Sequence, residues 1–237
     1  MNDNDLKENA IKYARKNKKR IVREVVDRDI YTEEDNPVSV FMAGSPGAGK
    51  TEASRNLIED EKFRKEQYSV LRIDPDELRD YFSCVGYTGS NSHVFQPAVS
   101  IIVDAIHDRV LKEKKSFILD GTLSHLEKAE KNIKRSLNKG RFVQIYYVYQ
   151  DPLQAWKFVL EREKKEGRRI QKDDFIDEYF GARDTVNALK KTFGKRINMD
   201  LLVKNIDGTD RYYRKNIDTV DNYIPEIYSR DTLTTAI

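Results

Sequence analysis

Cysteine is scarce in this chain, and it has neither a long hydrophobic run nor a strong excess of one charge. Cys84 is the single cysteine among 237 residues, so no disulfide can form within the chain, which is typical of a reducing compartment. No apolar run approaches the roughly 20 residues that span a bilayer, and the N-terminus lacks the apolar core of a signal peptide. The sequence therefore predicts a cytoplasmic protein with no membrane partner.

The charges are numerous but balanced. Lys and Arg number 43 against 40 Asp and Glu, which gives a net charge of +3. Nucleic-acid binding needs a basic stripe that neutralises several phosphates, so this balance argues against a nucleic-acid partner. The length suits one α/β domain, with or without a modest extension.

Short apolar segments alternate with amphipathic segments of helical period. The alternation predicts strands at residues 38–43, 68–73, 116–119, 142–149 and 197–203. It predicts helices at 6–29, from 50, from 74, and at 98–111, 125–137, 152–166, 173–192 and 220–228, with a loop at 83–92. This order favours an α/β fold in three layers, with a central parallel sheet of about five strands and helices on both faces.

One glycine-rich segment matches a complete nucleotide-binding motif. It fits the P-loop pattern G-x-x-x-x-G-K-[ST] with Gly44, Ser45, Pro46, Gly47, Ala48, Gly49, Lys50 and Thr51. The segment lies between a predicted strand and a predicted helix, as the motif requires. Its glycines let successive backbone N–H groups face phosphates, and the helix dipole adds to the attraction. We expect Lys50 to reach the β- and γ-phosphates of ATP and the Thr51 hydroxyl to bind Mg²⁺.

Other motifs narrow the class of P-loop protein. A motor ATPase usually has a long apolar strand that ends in Asp-Glu, and a GTPase has an Asn-Lys-x-Asp motif that reads the base. The chain has neither. The remaining class is the small kinases, in which the acceptor binds opposite the P-loop and a basic lid covers the phosphates. The sequence thus predicts a P-loop NTPase fold with kinase activity.

Candidate catalytic carboxylates follow two of the predicted strands. Asp74 and Asp76 follow the second strand and Asp120 follows the third, at the sheet edge that faces the ligand crevice. Asp74 also suits a helix cap, and Asp76 on the first helical turn is placed to accept a proton from an acceptor hydroxyl. Asp120 either helps to hold Mg²⁺ through water or forms a turn before Gly121. Thr122 is a candidate for holding the acceptor.

A basic segment is the candidate lid. Residues 161–175 contain Arg162 on a predicted helix, then Arg168 and Arg169 after the break at Gly167. The planar donors of arginine suit a phosphoryl group on which charge shifts during transfer. The alternative is an exposed, charged helix end.

Taken together, these residues resemble the zeta toxin family, the P-loop kinases that phosphorylate UDP-N-acetylglucosamine. The resemblance covers about residues 38–183. It rests on the P-loop, on Ile73-Asp74-Pro75-Asp76, on residues 118–122 and on the lid arginines. It implies ATP-dependent phosphorylation of the 3′-hydroxyl of the sugar nucleotide.

The resemblance also implies roles for single residues. Asp76 would be the general base, Lys50 would bind phosphate, and Arg162 and Arg169 would be the lid arginines, with Arg168 a close competitor for the second. Substrate contacts fall on three positions: Asp104, Asp120 and Thr122. Family members usually have Glu at the position of Asp120, so the shorter side chain here is a departure from the pattern.

The same resemblance predicts the organisation and the partners of the protein. Residues 1–36 would be a helical extension that packs on the core, and 37–237 would form the kinase domain. Such kinases act as toxins by draining a cell-wall precursor, and a small helical antitoxin often blocks their ATP site. An antitoxin partner is therefore an expectation, although nothing in the chain itself identifies it.

Three alternatives remain open at this point. The chain could phosphorylate another small hydroxyl acceptor, such as an antibiotic, a nucleoside or a nucleotide. It could be a nucleotide-binding switch with little transfer activity. It could be a polynucleotide kinase, which the charge balance disfavours.

Overall fold

A six-stranded sheet organises the chain in the computed structural model, which describes residues 2–59, 69–224 and 227–237. The strands are β1 (Val38–Ala43), β2 (Leu71–Ile73), β3 (Phe117–Leu119), β4 (Phe142–Tyr149), β5 (Asn198–Lys204) and β6 (Asp210–Arg214). Their order is β2-β3-β1-β4-β5-β6, and all neighbours are parallel except β5 and β6. The predicted α/β class and parallel sheet are confirmed. Tyr68, at the start of the predicted second strand, lies outside the described residues.

Seven α-helices are assigned in the described part of the chain. They are α1 (Asp3–Val25), α2 (Lys50–Glu59), α3 (Ser92–Lys112), α4 (Leu126–Leu137), α5 (Pro152–Glu166), α6 (Lys172–Phe193) and α7 (Arg230–Ala236). Two 3₁₀ helices are also present, Glu77–Val85 and Gly194–Arg196. No helix within the described residues is long and apolar enough to cross a membrane.

Alternate residues of the strands pack against helices on opposite faces of the sheet. Phe41 and Ile145 belong to a large apolar cluster that also takes in buried residues of α1, α3, α4 and α6. Val40 and Met42 belong to a smaller cluster, to which α2 contributes Ala53. Because side chains alternate along a strand, helices cover both faces, as the sequence predicts.

The sequence reasoning missed the short C-terminal helix α7 and the strand β6. The strand β6 pairs antiparallel with β5 at the sheet edge, after a turn in which the Gly208 N–H donates to the Asn205 carbonyl oxygen at 2.9 Å. The signal was present, because Asp207-Gly208 is a frequent hairpin turn and Tyr212-Tyr213 favours a strand.

Several predicted bounds differ from the structure. The helix expected at 6–29 spans Asp3–Val25, and the loop expected at 83–92 is shortened at both ends by helices. The helix expected from residue 74 is a 3₁₀ helix from Glu77, because the Asp74 side chain accepts the Asp76 N–H at 2.8 Å and forms a turn there. The helix expected at 98–111 begins earlier, at Ser92, since Phe95 is buried against other aromatic rings. The helix expected at 220–228 is absent from its described residues, and 221–224 form turns.

A buried histidine gives the fold a measurable pH dependence. His107 on α3 packs against Phe41 and Phe117, and burial lowers its pKa to about 3. The folded protein keeps this imidazole neutral, whereas the unfolded chain takes up a proton below its usual pKa of about 6.5. Stability is therefore lost as the pH falls. His107 should account for about 2 kcal/mol of the loss in unfolding free energy between pH 7 and pH 5. Denaturant unfolding of His107→Phe should show a correspondingly flatter pH dependence; equal slopes for both proteins would contradict this account.

Candidate active site

The P-loop joins β1 to α2 and packs closely on neighbouring elements. Gly44 and Gly47 have positive φ angles of 131° and 74°. A Cβ atom on Gly44 would lie 2.2 Å from the Val148 carbonyl oxygen, and one on Gly47 would lie 2.2 Å from the Ala155 carbonyl oxygen. The loop therefore needs glycine both for its conformation and for its approach to β4 and α5.

The Lys50 side chain folds back onto the P-loop. Its Nζ donates to the Ser45 carbonyl oxygen at 2.6 Å. Burial lowers the pKa of Lys50 to about 8, and the nearby carboxylates of Asp120 and Glu178 oppose the shift. Thr51 is exposed on the first turn of α2. This arrangement gives a phosphate group a lysine and the N-terminus of a helix.

Asp76 lies among three arginines at the sheet edge. Arg168 Nη1 lies 2.5 Å from its Oδ2, and Arg162 Nη1 lies 3.9 Å from the same atom. Arg79 contacts Oδ1 from one turn later in the 3₁₀ helix and donates to Gln96 Oε1 at 2.6 Å. One carboxylate thus faces three guanidinium groups, of which Arg168 also donates its Nε to Glu166 Oε2 at 2.9 Å.

Two of these arginines have unused donors. Within the described parts of the chain, the buried Nε atoms of Arg79 and Arg162 have no hydrogen-bond partner. A buried donor without a partner costs free energy, so such groups frequently mark a place where a ligand binds. Several cations and free donors in one place fit the charge and the acceptor oxygens of a polyphosphate.

The structure places Arg168 and Arg169 differently. Both follow Gly167, whose φ of 70° turns the chain out of α5. Arg168 points to Asp76, whereas the Arg169 side chain is 59% exposed and has its Nε 3.9 Å from Glu163. The geometry therefore brings Arg168 rather than Arg169 to the candidate base, and the choice of the second lid arginine stays a prediction.

The lid contacts the first residue of α3 and the loop that precedes it. The Ser92 Oγ donates to the Arg169 carbonyl oxygen at 3.2 Å. A Cβ atom on Gly89 would lie 3.3 Å from the Gly167 carbonyl oxygen, so the two loops touch through their backbones. The position of Arg168 is therefore coupled to the loop at residues 86–91.

The remaining predicted substrate residues lie in three different environments. Asp120 is buried, and its Oδ2 accepts from Ser54 Oγ at 2.9 Å and from Arg72. The Thr122 carbonyl oxygen accepts the Gly44 N–H at 3.1 Å, which places Thr122 beside the start of the P-loop. Asp104 is 55% exposed on α3, and its Oδ1 lies 3.9 Å from the Lys128 Nζ.

Three charged groups at the site were missed at the sequence level. Arg79 had a readable signal, because it lies three residues after Asp76 on a predicted helix. Arg72 on β2 and Glu178 on α6 had none. Burial raises the pKa of Glu178, and the cations Lys50, Arg79 and Arg162 oppose that shift, so α6 supplies a carboxylate whose charge acts on these three groups.

Comparison with models of protein families shows which family the chain belongs to. The family model described as Zeta toxin matches residues 7–218. The chain belongs to the zeta toxin family. This confirms the resemblance drawn from the motifs, and the match extends beyond residues 38–183 into α1 and the C-terminal strands.

Solved structures show that the fold of this zeta toxin family member is shared. The PezAT chromosomal toxin-antitoxin system of Streptococcus pneumoniae includes a chain with a TM-score of 0.67 and 15% identity, over 95% of this chain and 93% of that one. A chain of the AvrRxo1-ORF1:-ORF2 structure with ATP has a TM-score of 0.59 and 17% identity, over 89% and 65%. A chain of the Pnkp1/Rnl/Hen1 RNA repair complex has a TM-score of 0.52 and 18% identity, over 65% and 47%. No curated protein sequence matches the chain.

Proposed function

We propose that this zeta toxin family member is an ATP-dependent kinase that phosphorylates the 3′-hydroxyl of UDP-N-acetylglucosamine. The observation that carries the proposal is the contact of Asp76 with three arginines beside a complete P-loop. A kinase needs a proton acceptor and phosphate-binding cations within reach of one another, and this arrangement supplies both.

The proposed reaction is a single displacement at phosphorus. The acceptor hydroxyl oxygen forms a bond to the γ-phosphorus of ATP, and the bond from that phosphorus to the β–γ bridging oxygen breaks. ADP leaves with the bond electrons, and the hydroxyl proton passes to Asp76. Lys50, Arg162 and Arg168 stabilise the charge on the transferred group, which requires that Arg168 moves from the carboxylate to the phosphate.

The residues present fit Mg²⁺ bound through the nucleotide. The described residues contain no cluster of three or more His, Cys, Asp or Glu side chains arranged to hold a metal ion. The ion in kinases typically keeps several waters and is bound by phosphates with one or two protein oxygens, and the exposed Thr51 hydroxyl provides one. Bound there, Mg²⁺ would neutralise the β- and γ-phosphate oxygens.

A biological role as a toxin with an antitoxin partner follows from the same proposal. Two of the structural relatives come from two-component assemblies, the PezAT toxin-antitoxin system and AvrRxo1-ORF1:-ORF2. If the kinase reaction causes the effect, induced expression of the wild-type chain should arrest growth of a bacterial host. Expression of Asp76→Asn to the same level should not.

One observation favours a second candidate acceptor. The Asp120 carboxylate, which the resemblance assigns to sugar binding, is engaged by Arg72 and Ser54 in this structure. If it stays engaged, the sugar loses a contact, and a different small hydroxyl compound becomes the better acceptor.

The deciding experiment is a product assay with a panel of acceptors. Purified protein is incubated with ATP–Mg²⁺ and UDP-N-acetylglucosamine, UDP-glucose, a nucleoside or an aminoglycoside, and products are weighed by mass spectrometry. We expect UDP-N-acetylglucosamine to gain the mass of one phosphate. A product from another acceptor alone would reject the substrate assignment, and no product from any acceptor with ATP binding intact would favour the nucleotide switch.

A further inference from the structure

Arg72 is a buried cation in a place where the sheet otherwise buries apolar side chains. It is paired in register with Ile118 of β3, which in turn is paired with Val40 of β1. Paired positions in neighbouring strands point to the same face. Ile118 and Val40 belong to the apolar cluster beneath α2. Arg72 is therefore the residue of the edge strand β2 that lies next to them on the same face, and its side chain is only 9% exposed.

The guanidinium of Arg72 connects three elements of the site. Its Nε donates to Ser54 Oγ at 2.9 Å and to Asp120 Oδ2 at 3.0 Å, and its Nη2 donates to the same Asp120 oxygen at 2.8 Å. Its Nη2 also contacts Asp74 Oδ2, and its Nη1 donates to Glu77 Oε1 at 2.6 Å. Ser54 lies on the helix that follows the P-loop, and its Oγ also lies 2.9 Å from the Thr51 carbonyl oxygen.

The connection continues to the candidate base through Asp74. One oxygen of Asp74 faces Arg72, and the other accepts the backbone N–H of Asp76 at 2.8 Å. The rotation of the Asp74 carboxylate is therefore fixed at both oxygens. Because that carboxylate holds the Asp76 backbone, Asp74 links Arg72 to the segment that sets the direction of the Asp76 side chain.

We propose that Arg72 is a positioning residue, which acts through Asp74 to hold Asp76 in register with the P-loop helix. The expected effect on kcat rests on the proposed kinase function. The expected effect on the backbone at Asp76 rests on the hydrogen bonds alone. Without Arg72, one Asp74 oxygen would lose the cation that holds it, and the carboxylate would be free to rotate away from the Asp76 N–H.

Arg72→Met tests the inference, because methionine keeps much of the apolar stem and removes every donor. We expect kcat for phosphate transfer to UDP-N-acetylglucosamine to fall by on the order of 10- to 100-fold, since a small displacement of a catalytic group has costs of that size. The KM for ATP should change by less than about threefold, because Lys50 keeps its contact with the Ser45 carbonyl oxygen and Arg72 reaches the P-loop helix only through Ser54. A general loss of structure would instead alter both constants.

Backbone hydrogen exchange gives a readout that needs no activity. Mass spectrometry of Arg72→Met should show faster exchange in the peptide that contains Asp76, with unchanged exchange in β1 and β4. Arg72→Lys keeps the charge but loses the fork of donors, so it should restore part of the protection and part of kcat. Arg55→Met is the matched control, because exposed Arg55 also contacts Glu77, at 3.5 Å, and it should leave both readouts unchanged.

The outcomes separate the two proposals. If the wild type transfers no phosphate, the kinase function fails, and the exchange data alone decide whether Arg72 positions Asp76. If the wild type is active and Arg72→Met matches it in kcat and in exchange, the positioning role is overturned. If Arg72→Met does not fold, Arg72→Lys decides: wild-type kcat and exchange in that variant overturn the role, and the intermediate values described above support it.

Discussion

Asp76→Asn should lower the rate of phosphate transfer by on the order of 1,000-fold while ATP binding is retained or becomes tighter. The first effect follows because asparagine cannot accept the hydroxyl proton. The second follows because the carboxylate competes with phosphate for Arg168, which lies 2.5 Å from it, and for Arg162 and Arg79. Single-turnover transfer and equilibrium binding of ATP measure the two effects separately.

The matched control for this prediction is Asp80→Asn. Asp80 lies one turn further along the same 3₁₀ helix, and the proposed mechanism gives it no role, so its transfer rate should stay within about twofold of the wild type. An Asp76→Asn protein that loses ATP binding in step with transfer would show that Asp76 supports the nucleotide site and is not the base.

Arg168→Ala should lower kcat by at least about 100-fold, whereas Arg169→Ala should lower it by less than about threefold. An arginine that reaches the transferring phosphoryl group contributes effects of the larger size. Arg168 is placed for this by its contact with Asp76, and Arg169 points to Glu163 and solvent. Steady-state kinetics of the two variants, measured at saturating ATP, provide the comparison.

Arg168→Lys adds a test of geometry. Lysine keeps the charge but lacks the planar fork, so it should recover only part of the activity lost in Arg168→Ala. A large loss in Arg169→Ala with little change in Arg168→Ala would reverse the assignment. It would mean that the lid rearranges by one residue when substrates bind.

The phosphate side of the site was predictable because a local motif defines it. Residues 44–51 specify a conformation and a position after β1, so their placement follows once the strand is recognised. The parallel sheet was predictable for a similar reason, since apolar strands alternate regularly with amphipathic helices.

The charged network around Asp76 was not predictable, because it depends on tertiary placement. Arg72 reads in sequence as the polar residue of an ordinary strand, and only the packing of β2 beside β3 and α2 brings it to Asp120. Whether Arg168 or Arg169 faces the site depends on the backbone direction after Gly167. Glu178 lies within a long amphipathic helix, where no spacing distinguishes it from the exposed carboxylates nearby.

The most direct test of the account is a crystal structure of the protein with a non-hydrolysable ATP analogue, Mg²⁺ and UDP-N-acetylglucosamine. The account predicts an acceptor hydroxyl within about 2.6–3.2 Å of an Asp76 carboxylate oxygen, with Arg168 moved from that carboxylate to the γ-phosphate. A complex in which the acceptor hydroxyl lies away from Asp76, or in which Arg168 remains on Asp76 with both substrates bound, would contradict it.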